Sequence, residues 1–184
     1  DKGSVPALSG AAKKQGCAVN TGVLGICPDL LRGGRDLIWR ISRNDTECRD
    51  SEGSFDEVYF KTASGRDYVK MIEVKISPED IHRNGKMVDF HYMIYFLEKL
   101  KMLSGGKPIG ICLSNPGGVI LTSICKTMFA TGNFLDFITI ANNPPLFMGV
   151  YGRVAKRCTD AFCFSLADAS GLVKDYALPT KIIA

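Results

Sequence analysis

The chain predicts an α/β fold of parallel βα units. Three observations carry this. Short apolar or β-branched runs alternate with helical patterns, and from Val69 onward the order is strand, helix, strand, helix, strand, helix, strand. Gly, Pro and Asn punctuate nearly every junction between them. Hydrophobic residues make up 46% and charged residues 23% of 184, an ordinary globular composition with a length prior of about one domain. A right-handed run of such units builds a doubly wound sheet or a (β/α)8 barrel, and a full barrel needs about 250 residues. The expected architecture is therefore an incomplete or modified (β/α)8 barrel, with 1–184 as one domain, a fragment of a longer barrel.

Each element has its own warrant. Val5 to Lys14 reads as a helix that Gly16 stops. Cys17-Ala18-Val19 is short and apolar and breaks at Asn20-Thr21-Gly22. Asp36 to Ile41 reads as a strand, Thr46 to Gly53 as polar loop, and Phe55 to Ala63 as a short helix. Val69 to Ile76 alternates and is β-branched, the signature of a strand. Val88 to Leu103 is the clearest helix: Phe90, Met93, Leu97 and Leu100 form an apolar stripe, with Glu98, Lys99 and Lys101 facing out. Ser104-Gly105-Gly106 ends it. Pro108 to Leu113 is a buried strand, Val119 to Thr131 an amphipathic helix capped by Gly132, and Asp136 to Ile140 the next strand. Asn142-Asn143-Pro144-Pro145 breaks the chain; a helix over Thr159 to Ser170 and a strand over Lys181 to Ala184 follow.

Composition also excludes. The net charge of +4 is mild and its Lys and Arg are scattered, which argues a solvated surface and against nucleic acid as partner. No apolar run approaches the ~20 residues of a membrane span, and no signal peptide follows Asp1. Seven cysteines at irregular spacing, without a CxxC and with only two histidines, predict neither a disulfide framework nor a metal site. Reduced thiols fit a cytoplasmic or organellar-matrix setting.

In such folds ligands sit in the loops after the strands. Asn20-Thr21-Gly22-Val23-Leu24-Gly25 follows an apolar run and reads either as a plain turn or as a cradle whose backbone N–H groups meet an anion. Ser114-Asn115-Pro116-Gly117-Gly118 offers the same choice, with one donor removed by Pro116. Lys75 ends its strand, as a solvated lysine or as a cation facing an anionic ligand. His91 and Cys112 read as a surface histidine and a small core residue. No nucleophile–base pair can be recognised.

Five ordered segments resemble the FMN-binding central domain of the glutamate synthase family. AAKKQGCAVNTGVLGICPDLLRGGRDLIWRI is similar to the stretch that holds NTGEGG, P-x-x-L and GGDLIW-x-I. CRDSEGSFD matches C-R-D-x-x-G-x-F-D, and VKMIEVKIS resembles V-K-M-I-E-I-K-L-S. LSGGKPIGICLS and ICKTMFATGNFLDFITI resemble L-S-G-G-K-P-V-G-F-K-L and I-C-K-A-M-L-E-T-G-x-x-P-D-F-I-x-V. The likeness covers about residues 10 to 140 and continues weakly to the C-terminus. It implies a TIM-barrel ancestry, an FMN cofactor, and reductive formation of L-glutamate from 2-oxoglutarate and glutamine-derived ammonia. It implies Asn20, Thr21 and Gly22 as cofactor-binding residues, and Lys75 and Arg83 as residues that hold substrate carboxylates.

The departures fall in the loops. Val23 stands where the family has the glutamate of NTGEGG, and Cys112 where it has the flavin-side lysine. Pro78-Glu79-Asp80-Ile81 follows Ser77 in place of the Gln-Gly-Ala-Lys-Pro-Gly loop, and resembles the helix that lies beyond it. Ala141-Asn142-Asn143-Pro144-Pro145 replaces the Gly-Gly-Thr-Gly-Ala-Ala-Pro flavin loop. The Ser-Pro-x-x-His stretch and the cysteine triplet of the iron–sulfur cluster are absent. Strands and helices survive while the loops, where function resides, are cut. The expectation is a glutamate synthase-like domain weak or inactive in the family reaction, without iron–sulfur cluster or detectable FMN, binding at most a dicarboxylate. The alternative is a non-catalytic remnant that binds a ligand or a partner. An open barrel has unpaired edges and exposed apolar faces, so a homo-oligomer or a barrel-completing partner is expected.

Overall fold

The computed structural model describes residues 4–34, 36–42, 46–76, 80, 82–83, 86–87, 90–114, 116, 118–141 and 166–183. Six strands form one sheet: β1 (Val19–Asn20), β2 (Leu37–Ser42), β3 (Val69–Ile76), β6 (Ile109–Ser114), β7 (Phe137–Ala141) and β8 (Lys181–Ile183). They are ordered β1-β2-β3-β6-β7-β8, so the strands beginning near Val69, Pro108, Asp136 and Lys181 are neighbours in chain order. Six parallel strands alternating with helices match the incomplete α/β barrel that the sequence predicts. A separate antiparallel ladder, β4 (His82–Arg83) with β5 (Lys86–Met87), was not anticipated, because two-residue strands carry no periodicity to read.

The chain divides into two compact units. The first comprises Asp1–Lys75 and Lys99–Ile109. It contains β1–β3 with α1 (Ser4–Lys14), α2 (Pro28–Arg32) and α3 (Glu57–Ser64). Pro28 opens α2, where its missing N–H costs nothing. Asp56 caps α3 by accepting from the Tyr59 N–H at 2.8 Å. The α3 helix and β2 make the core of this unit: Trp39 and Phe60 are fully buried and stacked, with ring centroids 5.5 Å apart. The α1 helix lies against α2, where Ser9 Oγ donates to the Leu30 carbonyl at 2.9 Å. Any side chain on Gly33 would collide with Ser9, so the close approach requires glycine there. Lys107 donates to the Ser64 and Arg66 carbonyls.

The second unit comprises Ile76–Glu98 and Gly110–Ala184. The α5 helix (Gly118–Thr131) buries Leu121, Ile124, Cys125 and Met128. In the same unit Ile111, Leu113, Phe137, Ile138 and Ile140 are buried on β6 and β7. β6 and β7 are parallel, with Gly110 opposite Phe137 and Cys112 opposite Thr139. Thr180 Oγ1 donates to the Leu135 carbonyl at 2.7 Å at the start of β8. Burial pushes the Cys125 thiol up to about 11, which leaves it a core residue rather than a reactive group.

Several boundaries differ from expectation. The helix predicted from Val88 is described over Phe90–Leu103 as α4, with Val88 itself outside the described residues, and its buried line is Phe90, Ile94, Leu97 and Leu100. Met93 and Ile94 flank the Phe90–Leu97 line on its two sides, and packing buries Ile94 while leaving Met93 half-exposed. The loop over Thr46 to Gly53 contains a 3-10 turn, Thr46–Cys48. The last helix is described over 166–175, extending past Ser170 to the turn before β8; its expected start at Thr159 lies outside the described residues. The Asn142–Pro145 break, Cys158 and Cys163 also lie outside them. Among the described residues the five cysteines are free, no group of three His, Cys, Asp or Glu side chains could hold a metal ion, and no helix is long and apolar enough to cross a membrane.

Candidate ligand site at the strand ends

The strands of the first unit present two chemically distinct faces. Leu37, Trp39 and Ile41 alternate with Ile38, Arg40 and Ser42, and the first set is buried, with Trp39 stacked on Phe60 of α3. Parallel register carries the second set across the sheet: Asn20 is opposite Ile38, Arg40 opposite Glu73, and Ser42 opposite Lys75. Polar and charged residues thus gather on one face towards the carboxyl ends of β1–β3, where this fold places ligands.

Glu73 is the centre of that face. Its side chain is 2% exposed, yet it sits between Ile72 and Val74 in an otherwise apolar strand. A buried carboxylate needs charged or hydrogen-bonding partners, and it has them. Arg40 Nε donates to Glu73 Oε2 at 2.5 Å, and Asn20 Nδ2 donates to the same oxygen at 2.8 Å. The Arg40 backbone N–H donates to Thr21 Oγ1 at 2.9 Å. Three strands are therefore tied by one carboxylate, one guanidinium and one amide.

Asn20, Thr21 and Gly22 come together as the turn that leaves β1. Thr21 is buried, and its N–H donates to the Ile38 carbonyl at 3.0 Å, continuing the ladder. The Gly22 N–H donates to Asn20 Oδ1 at 2.9 Å, an Asx turn that starts the 3-10 turn Gly22–Leu24. Gly22 has a φ of +58°, a conformation that side-chain-bearing residues rarely adopt. Of the backbone donors in the Asn20–Gly25 run, those of Thr21 and Gly22 are thus already engaged within the protein. Val23, in the family's glutamate position, is 84% exposed.

Glu47, just ahead of the CRDSEGSFD loop, comes close to this turn. A Cβ at Gly25 would stand 2.6 Å from Glu47 Oε2, so the carboxylate lies directly over the glycine. Tyr59 Oη donates to Glu47 Oε1 at 3.0 Å. Burial, and then the hydrogen bond to Glu47, push the Tyr59 phenol up to about 12. Asp50 Oδ1 accepts from the Glu52 and Ser54 N–H groups, which holds the loop's own bend.

Lys75 is half-buried two residues beyond Glu73 on the same face of β3, and forms no ion pair with a described residue. Arg83 is on the β4–β5 ladder, opposite Lys86, in the second unit; its side chain lies outside the described residues. Cys112, in the flavin-side lysine position, is 2% exposed within β6. Sequence reasoning missed Arg40 and Glu73. A carboxylate inside a buried strand, with an arginine in the preceding strand, was the available signal, since such a charge must find a partner.

No protein-family profile matches the chain, and no solved structure matches it. Among curated proteins it is 30% identical, over 207 residues, to the glutamate synthase large subunit-like protein YerD of Bacillus subtilis (strain 168). The aligned region covers 96% of this chain, which spans 37% of that relative's length. An aligned length of 207 exceeds the chain's 184 residues, so the relative carries residues within that stretch that this chain lacks. A similarity that runs through most of the chain, with the parallel α/β sheet beneath it, supports the glutamate synthase family and nothing finer.

Proposed function

We propose that this chain is a glutamate synthase-like domain that has lost the family's flavin chemistry and binds a small dicarboxylate such as 2-oxoglutarate at Lys75. The observation that carries this reading is the state of the turn after β1. The N–H groups of Thr21 and Gly22 are engaged by Ile38 and Asn20, so this turn offers them to no phosphate. Three further points support it. Cys112 is a buried thiol where the family has a cation beside the ring that accumulates negative charge on reduction. Two prolines among Asn142–Pro145 lack N–H groups where the family has a glycine-rich donor loop. The relative is longer within the aligned stretch. The residues present therefore do not fit FMN in the family manner, and no reaction step is assigned through it.

What remains is an ammonium at the end of β3 that is unspent by any described carboxylate, a group suited to one carboxylate of an anionic ligand. No iron–sulfur cluster, nucleic acid or membrane is part of this reading; a second copy or a barrel-completing partner is. The test is absorbance and thermal unfolding of the purified protein. The flavin bands are absent, and 2-oxoglutarate at about 100 times its Kd stabilises the protein by about 2.7 kcal/mol. For a chain of this size that is a rise in Tm of roughly 5–11 °C. Lys75→Ala abolishes the rise. Copurified yellow flavin, or glutamate formed from 2-oxoglutarate with a reductant, overturns the proposal.

A further inference from the structure

Glu73 and Lys75 are two residues apart on β3 and share a face, about 6.6 Å apart along the strand. Side chains of this length and opposite charge, so spaced, are natural partners. They do not pair here. Glu73 turns sideways across the sheet, its Oε2 accepting from Arg40 on β2 and Asn20 on β1, and Lys75 is left without an ion pair among the described residues. We propose that Arg40 is a positioning residue that keeps Lys75 available: by holding the Glu73 carboxylate towards β1 and β2, it prevents an internal Glu73–Lys75 pair that would compete with a ligand's carboxylate.

The physical argument is one of competing partners. A carboxylate that is 2% exposed must be satisfied inside the protein. With Arg40 present, a bidentate-capable guanidinium on the directly opposed register position satisfies it. Without Arg40 the buried carboxylate loses the guanidinium that faces it and keeps the neutral Asn20 amide on that oxygen, while Lys75 is the next position along the same face of its own strand. A ligand carboxylate then has to displace an internal one. The choice of Arg40 is not forced by the strand, because the alternating pattern of β2 needs only a residue that tolerates a half-buried position there. The backbone N–H at this position also donates to Thr21 Oγ1, a bond that Arg40→Gln leaves in place.

The decisive measurement does not need the ligand. Acetylation of Lys75 by an N-hydroxysuccinimide ester, read by peptide mass spectrometry against the exposed Lys126 in the same digest, reports how free the amine is, because pairing raises its pKa and slows the reaction. Arg40→Gln is expected to slow acetylation of Lys75 about three- to fivefold relative to Lys126, the effect of one partly exposed ion pair. Arg40→Gln combined with Glu73→Gln removes both the holder and the competitor, and is expected to return Lys75 to the wild-type rate. A role in stability alone would lower the Tm of Arg40→Gln and leave the Lys75 to Lys126 ratio unchanged; a folded Arg40→Gln protein with that unchanged ratio overturns the proposal. If Arg40→Gln does not fold, the neutral double variant still decides. A Lys75 rate about threefold or more above wild type in it would mean that Glu73 already held Lys75, against the proposal, and a wild-type rate supports it. The ligand arm rests on the dicarboxylate reading: the thermal shift by 2-oxoglutarate falls in Arg40→Gln and returns in the double variant. If the wild-type protein shows no such shift, the dicarboxylate reading fails, while the acetylation ratios still decide the role of Arg40.

Discussion

Replacing Gly110 by alanine tests the packing of β6 on β7. Gly110 is buried and directly opposite Phe137 in a parallel pair. A Cβ placed there would press onto the Phe137 ring and stand 2.5 Å from the Phe137 carbonyl oxygen. Ordinary contact needs nearly an ångström more. The ring is 2% exposed and has no solvent to swing into, and the carbonyl is backbone, so the strands themselves must separate. Overpacking of this kind costs about 1–3 kcal/mol, and a backbone clash belongs at the upper end. Alanine also restricts the unfolded chain, which favours folding by about 0.4–1 kcal/mol. The net loss is then about 2 kcal/mol, or a fall in Tm of roughly 4–8 °C for a chain of this length. Urea unfolding followed by circular dichroism measures the free energy, and calorimetry the Tm. Adding Phe137→Leu relieves the ring but not the carbonyl, so it recovers only part of the loss. A Gly110→Ala protein within about 0.5 kcal/mol of wild type, at unchanged m-value, would refute the reasoning, since that is the range of substitutions that meet no obstacle.

Two further outcomes follow from the first unit. Phe60→Ala removes a fully buried ring stacked on Trp39 and 5.4 Å from Phe55, and should cost about 3–5 kcal/mol in urea unfolding; a loss below about 1 kcal/mol would mean that Trp39 collapses onto the space without penalty. The Tyr59 phenol titrates at about 12 in the folded protein against an ordinary 10, so the unfolded chain ionises first. Stability contributed by this group is complete below pH 10 and is lost as pH rises through 10–12. The alkaline slope of unfolding free energy should flatten in Tyr59→Phe, and an identical slope in that variant would place the loss on another group.

The backbone plan was legible because local pattern and tertiary need coincide. β3 has the predicted bounds, Val69–Ile76, since an alternating β-branched run can bury itself only as a strand. The α3, α4 and α5 helices lie within two residues of expectation, set by capping residues and glycine stops at Asp56, Gly65, Ser104 and Gly132. Parallel order followed from the alternation of strand and helix, which leaves few topologies open. Legibility failed where elements are too short to show a period, as at β4 and β5. It failed also where two apolar neighbours compete for one place: Met93 and Ile94 are equivalent by spacing, and only packing chose Ile94.

The candidate site divides in the same way. The sequence alone determined the parallel α/β class and the position of Lys75 at a strand's carboxyl end. These are properties of residue type and order along one strand or loop. Only the tertiary structure decided where charges are spent. Arg40 and Glu73 are 33 residues apart, and no local pattern announces that they are opposed in register and bonded at 2.5 Å. The donors of Thr21 and Gly22 look free in a string of letters, and become engaged once Ile38 lies alongside and Asn20 folds back. Hydrogen bonds and ion pairs are relations between strands, and the sheet register that creates them is fixed by long-range packing rather than by any residue taken with its neighbours.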